Sequence, residues 1–264
     1  MPADVPIADM SDAAVLLSAE FHVASRNQAA YKRSYKSHDI HYDPSIRDLV
    51  NDAPLHFDGR PRVALPTEDA SAGESVLTVI KRRASGRAYT AKPLDAASLA
   101  TLLRHANGVL ATMRTGRSTF YRRAAANSGD LGSVEIFPIV LNVVGVDPGI
   151  YHFDSVRHDL TQLHAGAYPD WLREAVFFQA EFSQAAVALV LTAAVGRLQA
   201  KYGIRGYRFA LLDVGHVSQN LYLVATALDL QVCATAGFID DVVDSTLGID
   251  GLDVSSMLVV LIGQ

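Results

Sequence analysis

An α+β fold is the reading this sequence supports, on three observations. Half of the 264 residues are hydrophobic, enough for a sizeable core in one large domain or two small ones. Segments with helical periodicity mix with hairpin-like strand runs, without a regular βαβ rhythm. One continuously apolar strand is followed by a long helix that is apolar nearly all round, as expected of central elements.

Residues 1–70 read as an N-terminal extension, partly helical and packed on the core or on a partner; residues 71–264 read as the main domain. Within the extension, residues 12–28 place Leu16, Leu17, Phe21 and Val23 on or near one helical face. Residues 31–42 are polar, basic and aromatic. Pro54, Pro61 and Pro66 then punctuate what reads as irregular chain. In the main domain, residues 75–83 predict a helix. Pro93 opens a second, with Leu94, Leu99, Leu102, Leu103 and Ala106 at helical spacing. Residues 113–133 are rich in Arg, Gly, Ser, Thr and Asn and read as loop. Residues 135–144 predict a strand, and Pro148-Gly149 a turn into another at 150–153. A short helix follows at 171–179, a buried strand at 185–194 and the long helix at 207–228. Strands at 232–236 and 257–262, with a short helix at 242–247 between them, complete the chain.

Composition narrows the function. Lys and Arg total 23 against 28 Asp and Glu, a net charge of -5, which disfavours broad nucleic-acid binding. The lone cysteine, Cys233, can make neither an internal disulfide nor a multi-Cys zinc site, and fits a reducing cytoplasm. The first residues carry Asp4, Asp9 and Asp12 and do not read as a signal peptide. The longest apolar run, 185–195, is too short to cross a bilayer, so a cytoplasmic protein away from membranes is expected. No GxSxG, Walker or GxGxxG sequence occurs. His38 and His41 read as a loop pair without the further ligands of a metal site, and His216 as a core histidine.

Four segments carry candidate chemistry. Arg83, Ser85 and Arg87 would offer a phosphate two forked guanidinium groups, a hydroxyl and the backbone of Gly86. The plainer alternative is a solvated basic helix end. Residues 122–137, RRAAANSGDLGSVEIF, put small residues around Gly129 and Gly132, where backbone would approach a flat ring closely; a bland surface loop is the alternative. Residues 201–208, KYGIRGYR, crowd charged and phenolic groups at the mouth of the long helix. Arg205 and Arg208 beside Lys201 would lower its pKa and suit it to act as a base; a solvated helix lead-in is the alternative. Residues 233–238, CATAGF, would turn small residues such as Ala236 and Gly237 to a cofactor, or simply pack closely.

Together these segments resemble the nitroreductase-like superfamily, and within it the thiazole/oxazole-forming dehydrogenases, the flavin subunits of microcin-type and streptolysin-type synthetases. Arg83-x-Ser85-x-Arg87 is similar to the family's flavin-phosphate element. Residues 122–137 resemble its P-S-x-G-x-L-Y-P-x-E loop, and GIYHFD followed by His158-x-Leu160 its G-x-Y-H-Y-D hairpin. Residues 201–230, KYGIRGYRFALLDVGHVSQNLYLVATALDL, resemble its K-Y-x-x-R-G-Y-R run, the most specific match. The likeness covers about residues 75–264. The family's Pro-Ser stands here as Ala126-Asn127, and its Tyr-Pro as Gly132-Ser133.

The resemblance implies a central, mostly antiparallel sheet flanked by helices, and FMN held at a homodimer interface. It implies Arg83, Ser85, Arg87, Asn127, Ser128, Gly129, Arg205, Ala236 and Gly237 as cofactor-binding residues, with Lys201 and Tyr202 as the catalytic pair. The implied reaction is oxidation of thiazoline or oxazoline rings to azoles in a ribosomally made precursor peptide. The implied partners are a YcaO-type cyclodehydratase and an E1-like, leader-binding subunit. Two alternatives are a general nitroreductase or NAD(P)H-fed flavin reductase, and a flavin-free scaffold subunit.

Overall fold

The computed structural model describes residues 12–27, 55–70, 73–115, 118–177 and 180–264. Of the polar segment at 31–42, nothing lies among them; nor do His38 and His41.

Seven strands form the main sheet in the order β1-β8-β7-β5-β9-β11-β10. They are β1 (Arg62–Ala64), β5 (Val134–Val140), β7 (Gly149–Asp154), β8 (Asp159–Ala165), β9 (Val187–Ala194), β10 (Gln231–Thr235) and β11 (Val254–Gly263). Every neighbouring pair is antiparallel. The helices lie on both faces. Ile136, Leu189, Leu191 and Val260 pack with α3 (Ala96–Asn107) and α6 (Gly206–Ala227). Phe137, Ile139, Val190 and Leu261 pack with α4 (Pro169–Ala175) and α7 (Asp240–Leu247). Cover on both faces is why β5 and β9 are apolar at successive positions instead of alternating.

The helix predicted from Ser75 is α2 (Val76–Arg82), with Ser75 as N-cap accepting from Thr78 N–H. The second helix starts later than Pro93 suggested. Asp95 is its N-cap, accepting from Ser98 N–H at 2.7 Å, and β2 (Leu94–Asp95) pairs in parallel with β6 (Val143–Val144). Residues 113–133 are not all loop: β3 (Val109–Thr115) and β4 (Ser118–Arg123) make a separate hairpin. β1 lies within the stretch read as irregular, and β8, the second strand of the hairpin that the resemblance implied, carried no periodicity of its own.

The largest difference is at the mouth of the long helix. Lys201 and Tyr202 end a helix of their own, α5 (Val195–Tyr202), and Gly203 at φ 58° breaks the chain before α6. Lys201 therefore sits in the last turn of α5, where the helix dipole favours a cation, and not at the start of α6, where it would be opposed. Nor is α6 apolar because it is central all round. Ala210, Asp213, Val214, Val217 and Leu221 are buried, while Tyr207, Leu211, Gly215 and Gln219 form an exposed stripe.

In the extension, α1 (Asp12–Ala24) docks on the start of α6. Arg205 donates to the Ser25 carbonyl at 2.8 Å, and Arg208 to Ser25 Oγ at 2.7 Å and the His22 carbonyl at 2.6 Å. Phe21 meets Tyr207 edge-on at 5.4 Å. The two guanidinium groups thus satisfy carbonyls that the end of α1 leaves unpaired.

Candidate active site

Most of the predicted site residues fall in two groups along α6. The first group lies around Tyr222. α2 ends at Arg83, and its basic last turn, Lys81 and Arg82, suits the dipole. The chain then runs along β10, where Gly86 N–H donates to the Val232 carbonyl at 2.9 Å. The Gln231 amide packs on the open face of Gly86, and a Cβ there would make that side chain move. Ser85 Oγ lies 3.0 Å from Tyr222 Oη, and the Arg83 guanidinium 5.5 Å from the Tyr222 ring centre. Tyr222 Oη also accepts from Ala234 N–H at 2.8 Å. Arg87 reaches the buried Cys233, whose thiol is pushed up by burial and pulled back by that guanidinium. Ala236 and Gly237 follow β10, and the Gly237 carbonyl accepts from Phe177 N–H at 2.9 Å. Arg83, Ser85 and Arg87 are exposed and close in the chain, and their donors suit a phosphate group.

The second group lies nearer the start of α6: its loop meets the helix at Asp213 and His216, nine and six residues before Tyr222, or roughly 9–14 Å along the axis. Its centre is the loop after β4. Buried Asp213 on α6 clamps this loop, accepting from Ser128 N–H at 3.0 Å, Ser128 Oγ at 2.8 Å and Ser133 Oγ at 2.6 Å. Asn127 Oδ1 accepts from Gly132 N–H at 3.4 Å, and His216 Nδ1 lies 3.1 Å from the Ala126 carbonyl. His216 is exposed, not a core histidine.

Gly129 takes φ 63°, and Lys201 and Tyr202 close over it: an added Cβ would lie 2.2 Å from Tyr202 Oη and 2.4 Å from Lys201 Nζ. The Lys201 ammonium donates to the Gly129 carbonyl at 3.4 Å. The Tyr202 ring packs edge-on against Phe209 at 4.8 Å. Lys201 is half-buried and its pKa is lowered. The cause is burial, with the Asp130 carboxylate opposing it, and not the neighbouring arginines expected from the sequence. Arg205 and Arg208 are turned away, onto α1.

The open sides of both loop glycines are therefore filled from within the chain. Lys201 and Tyr202 take the space beside Gly129. The Arg123 guanidinium takes that beside Gly132, where a Cβ would meet Nη2 at 2.6 Å. Arg123 is 7% exposed, and its Nε and Nη1 have no hydrogen-bond partner among the described residues. Beneath the loop, Arg197 donates to the Gly132 carbonyl at 2.8 Å and lies 3.7 Å from buried Glu135. Glu135 also meets His152 Nε2 at 2.9 Å and accepts from Leu55 N–H at 3.1 Å.

Within one chain, then, Asn127, Ser128, Gly129, Lys201 and Tyr202 come together, and Arg83, Ser85 and Arg87 come together elsewhere. Arg205 joins neither the phosphate-type cluster nor the loop. Asp213 was missed, although an Asp among Ala210, Val214 and Val217 on a buried helical face was a visible signal. Tyr222 stood in an apolar run and carried none. Among the described residues no group of His, Cys, Asp and Glu could hold a metal, and no helix is long and apolar enough to cross a membrane.

A seven-stranded antiparallel sheet covered on both faces, with an exposed arginine–serine cluster and a lysine–tyrosine pair placed along one long helix, defines an α+β protein. The Nitroreductase family pattern matches residues 80–264, and the chain belongs to that family, which marks it as an oxidoreductase of a generally flavin-binding class. It is 33% identical over 187 residues to the nitroreductase MJ1384 of Methanocaldococcus jannaschii, covering 71% of this chain and 89% of that one. Over 64 residues it is 38% identical to the microcin B17-processing protein McbC of Escherichia coli, 24% of each chain. Over 141 residues it is 27% identical to the trifolitoxin-processing protein TfxB of Rhizobium leguminosarum bv. trifolii, covering 52% of this chain and 38% of that one. A nitroreductase structure from Anabaena variabilis superposes with TM-score 0.67 at 25% identity, covering 78% of this chain and 42% of that one. The Escherichia coli microcin synthetase McbBCD complex with truncated pro-MccB17 bound gives TM-score 0.61 at 22% identity, covering 87% of this chain and 97% of that one.

Proposed function

We propose that this chain is an FMN-dependent dehydrogenase that oxidises thiazoline and oxazoline rings in a ribosomally made precursor peptide. The observation that carries the reading is the convergence of Lys201 and Tyr202 on Gly129. Turning an azoline into an azole removes two electrons and two protons from the ring, so a ring C–H must lose a proton as its neighbour loses a hydride. A half-buried lysine with a lowered pKa is a better proton acceptor than a free one. Tyr202, on the same helical turn, can orient the ring or pass the proton on. Bound flavin supplies the redox chemistry, with dioxygen as terminal acceptor; the chain supplies position and the base. Similarity to two peptide-processing proteins, and of fold to a synthetase complex holding a precursor, supports this branch of the family.

The working unit is a homodimer. The Arg83 cluster lies exposed beside Tyr222, and a second copy of the chain would help enclose the flavin it holds. A second copy packed antiparallel along α6 would bring the Arg83 cluster of one chain beside the Gly129 loop of the other. The surface available for this is apolar: Leu211 and Leu212 (58% exposed) on α6, and Val76, Leu77 (69% exposed) and Ile80 on α2. The dimer would act in a complex with a YcaO-type cyclodehydratase and a leader-binding subunit, where nearness lets an azoline be oxidised before water reopens it.

A nicotinamide-fed flavin reductase is the second reading. It is favoured by the similarity to the Methanocaldococcus protein, which covers far more of the chain than that to McbC. The test is to identify the flavin released from purified protein, then supply an azoline peptide in air without nicotinamide. The expected result is loss of two hydrogens per ring by mass, abolished in a Lys201→Ala protein that keeps its flavin. Turnover that depends on NAD(P)H with no azole formed would establish the second reading, and colourless protein a scaffold.

A further inference from the structure

The turn that carries Gly129 also carries a carboxylate in an unusual backbone state. Gly129 and Asp130 are successive left-handed residues, at φ 63° and 57°. Glycine takes that conformation freely; of the other residues, Asp and Asn take it most readily. Asp130 is fixed there by its side chain, with Oδ2 accepting from Tyr121 N–H on β4 at 2.9 Å. The preceding carbonyl, that of Gly129, receives the Lys201 ammonium. The backbone acceptor of the lysine and a half-buried carboxylate are thus on adjacent residues of a single turn, without a direct ion pair between them.

We propose that Asp130 is a positioning residue for Lys201: its negative charge holds the ammonium form against Gly129 and sets the pH at which the amine becomes free to accept a proton. The inference rests on the reading of Lys201 as the base. Burial favours the neutral amine and Asp130 the ammonium. The carboxylate is itself pushed up by burial and held down by Tyr121 N–H, Arg123, Asn127 and Lys201. The other charged groups nearby are engaged elsewhere. Arg197, one turn back on α5, binds the Gly132 carbonyl and faces Glu135. Arg205 binds the Ser25 carbonyl. Among the described residues, Tyr202 shares the turn with Lys201, Arg123 lies beside Gly132, and Asp213 is held by Ser128 and Ser133. Removing the Asp130 charge leaves burial unopposed, so Lys201 should release its proton at lower pH.

Asp130→Asn tests this cleanly. Asn tolerates the same φ and keeps an oxygen for Tyr121 N–H. Asp130→Gly, which takes left-handed backbone without cost, is the second variant should the first fail to fold. The Lys201 titration is read by NMR on lysine-labelled holoprotein, assigned with Lys201→Arg, and kcat for an azoline peptide is followed against pH. In both variants the midpoint should move to lower pH. The acid limb of kcat should follow, raising the ratio of rates at acid and neutral pH roughly three- to tenfold. A folded, flavin-loaded variant with an unmoved midpoint overturns the proposal, even if its kcat falls, because a merely structural role lowers rate without moving the titration. If wild-type protein fails to oxidise azolines, the functional reading fails, while the NMR midpoint still decides whether Asp130 controls Lys201.

Discussion

Replacing Gly129 by alanine tests the central geometry. The added methyl would lie 2.2 Å from Tyr202 Oη, 2.4 Å from Lys201 Nζ and 3.3 Å from Lys201 Cε. Ordinary contact needs about 3.5 Å, so both side-chain ends must retreat by roughly 1 Å. They are the free ends of long side chains, and that part of the clash is relieved by movement. The backbone part is not: alanine in left-handed conformation costs about 1–2 kcal/mol. For a domain of this size that lowers Tm by roughly 2–8 °C. A base misplaced by roughly 1 Å costs about a hundredfold in rate. The variant should therefore fold, keep its flavin, melt a few degrees lower and lose about two orders of magnitude in kcat on an azoline peptide. Scanning calorimetry, flavin absorbance and mass-detected azole formation measure the three quantities. Wild-type kcat in the variant would refute the reasoning, because the Lys201–Tyr202 contact with this loop would then be incidental. Loss of folding and flavin together would make Gly129 structural instead.

Three further outcomes are expected. Arg83→Ala with Arg87→Ala removes two exposed charged donors and should weaken FMN binding by roughly a hundredfold or more without unfolding the chain, as read by fluorescence titration; unchanged affinity would move the phosphate elsewhere. Glu135→Ala leaves Arg197 and His152 facing a buried gap and should cost about 3–5 kcal/mol in urea unfolding; a loss near zero would mean that the pair is not a buried support of the loop. Arg208→Ala loses the bonds to Ser25 Oγ and His22 and should expose residues 22–27 to faster proteolysis, while the Tm of the core changes by less than about 2 °C; an unaltered cleavage rate would show that α1 is held by other contacts.

Where apolar periodicity was strong, sequence reasoning located the element. The long helix expected at 207–228 is α6, Gly206–Ala227, and the strand expected at 257–262 lies within β11. Weak or mixed signals failed for identifiable reasons. α5 begins directly after β9 with no side-chain cap at Ala194, so no boundary residue separates the strand from the helix. The β3–β4 hairpin is rich in arginine and carries exposed apolar residues, Leu110 and Met113, so its composition mimics a loop. β1 is three residues long and is strand only because it pairs with β8.

The sequence by itself determined the α+β class, the long helix with its flanking strands and the segments on which the chemistry falls. These follow from hydrophobic period and from residue types that act locally: a capping serine, a glycine able to turn left-handed, arginines able to take a phosphate. Tertiary structure decided which groups meet. It placed Lys201 at the end of α5 and closed it over Gly129. It assigned its pKa shift to burial, turned Arg205 from the expected phosphate to the end of α1, and set Asp213 under the loop from eighty residues away. Burial and through-space contact depend on distances between residues remote in the chain, and no local spacing encodes them.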